Sequence, residues 1–229
     1  MTRMGFILLC TIATAATAQP AAQLSTDKAR DSYALGQQTA DSIKLLNADL
    51  DINALLQGIR DNLEGKPSLL SGPELTKARD RARTSMLQNL QKKRQEEGAK
   101  YGKAGQAFLA AHSKEKGVVT TPSGLQYVIQ SASPPGPRPG PKSRVLFEYK
   151  ASIAGGAEFD SSAALGKPAL MGVSDGIKGL AEAFQLMTIG SKYRFVIPPQ
   201  LAYGAEGFPS KVPPNATLIY EITLREVVR

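Results

Sequence analysis

The segment Leu218-Ile219-Tyr220-Glu221-Ile222-Thr223-Leu224-Arg225 sets Leu218, Tyr220, Ile222 and Leu224 on one face and Glu221, Thr223 and Arg225 on the other. A period of two over that length is the mark of a β-strand with one buried face. Working back along the chain, Tyr193 to Ile197 repeats the strand pattern and is closed by Pro198-Pro199. Before it, Ile177, Leu180, Ala181, Phe184 and Met187 keep helical spacing until Gly190 ends the helix. Val145 to Ile153 is a strand with Val145, Phe147 and Tyr149 on one face, and Leu125 to Ile129 is another. Between these two, Ser131 to Ser143 contains Pro134, Pro135, Pro137, Pro139 and Pro141 and reads as an extended loop. One helix among strands predicts an α+β unit, a mainly antiparallel sheet with a helix packed across it.

Ahead of Gly117 the period changes to that of a helix. Ser25 or Thr26 caps a first helix running to about Leu46, expected to bury Leu35 and Ile43. A second helix, Asp51 to Leu63, spaces Ile52, Leu55, Leu56, Ile59 and Leu63 along one face and is stopped by Gly65 and Pro67. Ser71-Gly72-Pro73-Glu74 is a capping box that opens a third helix. No proline follows for ~40 residues, enough for a rod of about 60 Å. Within it, Gln91-Lys92-Lys93-Arg94-Gln95-Glu96-Glu97 has no apolar residue and is expected to run through water. Gly98, Gly102 and Gly105 weaken the helix and mark a place for a kink. Two short helices and half a rod make a poor core, so a second copy is expected to supply the missing apolar face. The prediction is a homodimer built on residues 25–90.

The chain opens with Arg3, an apolar run and Ala16-Thr17-Ala18, the pattern of a cleaved signal peptide. Its single cysteine, Cys10, falls inside that run, where the large Leu9 before it speaks against lipid attachment. The mature chain would hold no thiol, in keeping with an oxidising compartment such as a bacterial periplasm. The net charge of +8 favours solubility and weak attraction to anionic surfaces, but the basic residues are spread out, which argues against nucleic acid as a partner.

The residue types exclude much chemistry. One histidine, His112, lies in a charged stretch expected to be exposed, and no H-E-x-x-H or Cys-His cluster exists for zinc. A Ser-His-Asp relay would have to use that same histidine. No phosphate-binding loop or dinucleotide fingerprint appears, and no cofactor is implied. Asn215-Ala216-Thr217 matches a glycosylation acceptor but reads as a turn before a strand. Aromatic and apolar residues in strands and loops remain, with one acid beside them. Rotation about an X-Pro bond is compatible with that set. Its barrier of about 18–20 kcal/mol comes from amide resonance, so a dry apolar pocket that favours the twisted amide suffices.

The C-terminal half resembles the FKBP-type peptidyl-prolyl cis-trans isomerases. The resemblance is carried, in family order, by Phe147-Glu148-Tyr149, Glu158-Phe159-Asp160-Ser161-Ser162, Gly166-Lys167-Pro168, Gly176-Ile177-Lys178-Gly179-Leu180, Ile197-Pro198-Pro199-Gln200-Leu201-Ala202-Tyr203-Gly204 and Val212-Pro213-Pro214-Asn215-Ala216-Thr217-Leu218. Tyr33-Ala34-Leu35-Gly36, Phe108-Leu109-Ala110 and Thr120-Thr121-Pro122-Ser123-Gly124-Leu125 resemble the narrower Mip/FkpA-like group. The resemblance implies an antiparallel half-barrel sheet wrapped on one short helix, carried by an all-helical dimerisation module through a long connecting helix. It places Tyr149, Phe159, Asp160 and Tyr203 in the catalytic role, with Tyr203 donating to a substrate carbonyl and Asp160 beside the twisting bond. Ile177, Leu180, Val212 and Tyr220 would complete the substrate pocket, with Phe208 at its rim. Phe147, Leu218 and Ile222 are read as core.

Five positions depart from the family pattern. Leu180 stands where active members usually carry a tryptophan, Ala169 replaces an aromatic wall residue, and Leu165 sits where an arginine usually pairs with the aspartate. Gly176 replaces a branched apolar residue and Tyr220 a phenylalanine. A wider, less aromatic pocket predicts weak isomerase activity and poor macrolide binding. The alternative is a non-catalytic dimeric chaperone or surface binding module with a degenerate pocket. The expected division is a signal peptide over 1–18, a helical dimerisation domain and linker helix over 19–115, and an isomerase domain over 116–229. The expected partners are proline-containing unfolded or partly folded exported proteins and a second copy of the chain. The residues leave open whether the protein is soluble in the periplasm or peripherally associated with the outer membrane.

Overall fold

The computed structural model describes residues 24–45 and 49–228; the expected signal segment lies outside them. The chain falls into two units, the first ending at Leu46 and the second beginning at Asn47. The first contains α1 (Asp27–Leu45). Thr26 caps it, its hydroxyl oxygen accepting from the Ala29 N–H at 3.2 Å. Leu35, expected to be buried, is 64% exposed, and Tyr33 beside it is exposed as well. The spacing of apolar residues gives the helix, but burial of Leu35 does not follow from it.

The second unit begins with α2 (Ile52–Leu63), where the Asp51 carboxylate accepts from the Ala54 N–H at 3.0 Å. No residue of α2 is buried. Then comes α3 (Gly72–His112), a single helix of 41 residues. At its start the Glu74 carboxylate accepts from the Ser71 N–H at 3.0 Å and from the Ser71 hydroxyl at 2.7 Å, the glutamate's half of the predicted capping box.

The charged stretch 91–96 is exposed as expected, but beyond it α3 is not a free rod. Gly98, Gly105 and His112 are buried along one face. The glycines do not break the helix; they let residues 214–217 lie against its backbone. A Cβ at Gly98 would sit 3.1 Å from the Asn215 Nδ2 and 3.2 Å from the Pro214 Cβ, and one at Gly105 would collide with the Thr217 side chain. The missing side chains are a fit to a neighbour, which outweighs glycine's poor helix propensity. His112, expected to be exposed, is 1% exposed. Its Nδ1 lies 2.9 Å from Gln126 Oε1, its ring stacks on Phe108, and the Gln126 Nε2 donates to the Leu109 carbonyl at 3.1 Å. Charged neighbours in the sequence hid a helix face that turns inward once the sheet is present.

The sheet is antiparallel throughout and holds β1 (Val119–Thr120), β2 (Gln126–Ser131), β3 (Arg144–Ile153), β4 (Glu158–Ser161), β5 (Ala169–Gly172), β6 (Lys192–Ile197) and β7 (Leu218–Val228). The strand order is β1-β2-β6-β7-β3-β4, with β5 also pairing with β3. β3 and β7 form the spine from Arg144↔Val228 to Ile153↔Leu218, with a bulge between Leu146 and Phe147. One short helix, α4 (Lys178–Leu186), packs on this sheet, Phe184 meeting Phe147 edge to face at 4.8 Å. Phe147, Leu218 and Ile222 are core residues, as read from the sequence. β1, β4 and β5 are two to four residues long, too short for a period of two to show.

Candidate active site

The aromatic residues gather on the sheet face that carries α4. Tyr149 lies on β3 and Tyr220 on β7, one diagonal step apart because Ala151 pairs with Tyr220 and Tyr149 with Ile222. Their rings stack at 6.2 Å. β4 pairs Asp160 with Ala151, and its Phe159 meets the Tyr220 ring edge to face at 6.3 Å. Tyr149 is anchored through its backbone, its N–H donating to the Ser162 hydroxyl at 3.0 Å and its carbonyl accepting from the Ser162 N–H at 3.0 Å. Tyr220 and Val212 are buried, whereas Tyr149, Phe159, Asp160, Ile177 and Tyr203 are half-buried. The group is a sealed floor with an accessible rim.

Three phenols and one carboxylate share this face. The Tyr149 hydroxyl donates to the Asp160 carboxylate, and Tyr203 and Tyr220 are hydrogen-bonded to each other. Burial, the hydrogen bond to Asp160 and the negative charge there push the Tyr149 phenol up to about 12 from its ordinary 10.0. Burial and then the Asp160 charge raise Tyr203 as well, against an opposing hydrogen bond from Tyr220. Burial is also the main cause holding Tyr220 protonated. A phenol raised in the folded state contributes stability that is complete below its unfolded pKa and lost as pH rises through the folded value. For Tyr149 that window runs from 10.0 to about 12. We expect the phenolate absorbance of wild type minus Tyr149→Phe to stay flat until pH passes 10. An absorbance step at or below pH 10 would mean that the phenol is neither buried nor beside Asp160 as described.

Tyr203 comes from the loop after a 3-10 turn (Pro199–Leu201), held by the Gly204 N–H donating to the Pro199 carbonyl at 2.9 Å. Its ring lies 5.3 Å from that of Phe208, which is 44% exposed. Phe208 and Val212 close a small hairpin through two backbone hydrogen bonds of 2.8 Å. Gly207, at φ 66°, lets the chain pass the Val212 carbonyl, which any Cβ there would strike. Ile177 stands at the N-cap of α4, and Leu180, 6% exposed, in its first turn.

One contributor escaped sequence reasoning. Met171 is half-buried on β5, and its Cε would lie 3.0 Å from a Cβ at Gly176, with Leu180 Cδ1 at 3.6 Å. The thioether methyl therefore occupies the room left by the glycine. The alternation of Ala169 and Met171 was the available signal, in a strand too short to be read. Among the described residues, no three His, Cys, Asp or Glu side chains gather as they would around a metal ion.

Comparison with known proteins matches both halves of the chain. Residues 28–129 match the family model for the domain amino terminal to FKBP-type peptidyl-prolyl isomerase, and residues 136–225 the model for FKBP-type peptidyl-prolyl cis-trans isomerase. The chain is 34% identical to the outer membrane protein MIP of Legionella longbeachae, over 94% of this chain and 92% of that one. It is 35% identical to the FKBP-type 22 kDa peptidyl-prolyl cis-trans isomerase of Escherichia coli, over 89% of this chain and 97% of the relative. Among solved structures, FkpA from Escherichia coli superposes with a TM-score of 0.68 at 30% identity, covering 89% of this chain and 98% of that one.

Proposed function

Because the chain belongs to the FKBP-type peptidyl-prolyl cis-trans isomerases, we propose that Tyr149, Phe159, Asp160 and Tyr203 are the side chains that perform its isomerisation. The observation that carries this is the convergence of three phenols and one carboxylate on a half-buried aromatic floor. A prolyl ring entering over Leu180, Ile177, Val212 and Tyr220 leaves water behind. Its imide then loses conjugation more readily as it twists, because charge separation in the planar form is poorly solvated there. Tyr203 donates to the carbonyl of the bound peptide, Asp160 faces the rotating bond, and Phe208 closes the rim.

Leu180 offers the ring less contact than an indole would, a loss of about 1–2 kcal/mol at about 25 cal/mol per Å². Met171 fills part of the gap, so the floor is aliphatic rather than empty. The activity is accordingly weak. The test is refolding of a proline-limited protein with this chain at catalytic amounts. The slow phase should shorten with wild type and shorten further with Leu180→Trp combined with Met171→Ala, which clears the methyl. No acceleration by either would favour the second reading, a dimeric chaperone with a degenerate pocket, to which Leu180, Ala169 and Leu165 point.

The same proposal places the protein in the periplasm after removal of residues 1–18, acting on proline-containing unfolded or partly folded exported proteins. A homodimer forms through residues 25–90, with residues 19–115 as its helical part and 116–229 as the isomerase domain. Support for the dimer comes from the apolar stripe of α2, where Ile52, Leu56, Ile59 and Leu63 are all exposed. Peripheral contact with the outer membrane accords with the net charge of +8 and with the name of the Legionella relative.

A further inference from the structure

The loop that presents Tyr203 and Phe208 is tied to the long helix on both of its sides. From α3, the Arg94 guanidinium donates to the Glu206 backbone carbonyl at 2.7 Å, between the two aromatic residues. Its contact with the Glu206 carboxylate is longer, 3.4 Å, and that carboxylate is 88% exposed, so the backbone bond is the one that matters. On the far side, Asn215 adopts a left-handed φ of 56°, which asparagine tolerates better than most residues. There its N–H donates to the Gly204 carbonyl at 2.8 Å and its Nδ2 to the Gly98 carbonyl of α3 at 3.4 Å. Between these ties the helix and loop diverge into a groove of about 690 Å³, lined by Leu90, Gln91, Ala205 and Pro214, which Arg94 crosses. Arg94 is the residue of the helix that hydrogen-bonds to the backbone of this side of the loop.

We propose that α3 is a working part of the isomerase site, with Arg94 and Asn215 as positioning residues that hold the Tyr203–Phe208 loop ready for a peptide. This rests on the reading that Tyr203 serves that site. A loop freed from the helix must be ordered by each incoming peptide, which weakens ground-state and transition-state binding alike. The signature is therefore a raised KM at unchanged kcat.

The experiment compares wild type, Arg94→Ala, Arg94→Lys, Asn215→Gly and Tyr203→Phe in the full chain on one X-Pro peptide, with melting temperature and amide hydrogen exchange over 203–212. Arg94 is partly exposed, so its removal leaves the fold intact, and glycine retains the left-handed backbone at 215. Arg94→Ala and Asn215→Gly should raise KM about 3- to 10-fold, the value of one hydrogen bond, speed exchange over 203–212 and leave kcat in place. Arg94→Lys, which keeps a donor, should recover most of the loss. Unchanged KM and exchange in both variants, while Tyr203→Phe is impaired, would overturn the role of the helix alone. A Tyr203→Phe protein as active as wild type would overturn the site reading and the proposal with it. A general fall in melting temperature with exchange rising throughout the domain would also overturn it, since the residues would then be structural.

Discussion

Asp160→Ala is expected to lower kcat/KM for an X-Pro peptide about 10- to 100-fold, the range of a hydrogen bond to a charged group. The carboxylate does two things on the aromatic face. It accepts the Tyr149 hydroxyl, and its charge acts on the Tyr203 phenol. Removing it leaves the half-buried Tyr149 hydroxyl without its acceptor and takes the charge from beside the rotating bond. Tyr203→Phe keeps the ring that packs on Phe208 and deletes only the hydroxyl. It should therefore lose less, about 3- to 10-fold, the value of a neutral hydrogen bond. Because the phenols and the acid form one network, the double variant should lose less than the product of the two. Peptide turnover by both single variants, with melting temperatures alongside, is the check. A fully active Asp160→Ala protein would remove the acid from the mechanism.

The second large effect concerns assembly. Leu56→Glu with Ile59→Glu should convert the protein from dimer to monomer at micromolar concentration, halving the mass read by light scattering. Leu56 and Ile59 are 53% and 40% exposed in a helix with no buried residue, so charges there do not disturb the single chain. In a two-fold assembly each substitution acts twice, and each leucine or isoleucine removed from a buried interface forfeits about 1.5–3 kcal/mol. Turnover of a short peptide should be unaffected, because the aromatic face lies wholly in one chain. Refolding of a large client should slow, since two linked pockets give avidity that one does not. A wild-type protein that is already monomeric would end the argument for a second copy.

Elements with long, regular patterns were legible in the chain itself. β3, β6 and β7 alternate over enough residues to be seen, the Ser71–Glu74 capping box opened α3 at the right place, and Gly65 ended α2 with φ 67°. The candidate site was legible through resemblance rather than periodicity, because a phenol on a strand looks like any other amphipathic side chain. Resemblance brought Tyr149, Phe159 and Tyr203 together on paper. It could not show that Met171 moves into the room left by Gly176, since that contact joins two segments with no local pattern between them.

The sequence by itself determined the change from helical to alternating period near Gly117 and which residue types could carry the chemistry, because both depend on neighbours within a turn or a strand. Only the tertiary structure decided that His112 is buried, that Gly98 and Gly105 seat Asn215 and Thr217, and that Arg94 reaches the loop beside Tyr203. Those features depend on segments brought together from beyond a helix turn or a strand, 14 residues apart for His112 and Gln126 and 112 for Arg94 and Glu206. A glycine that weakens a helix is spelled the same way as one that admits a neighbour.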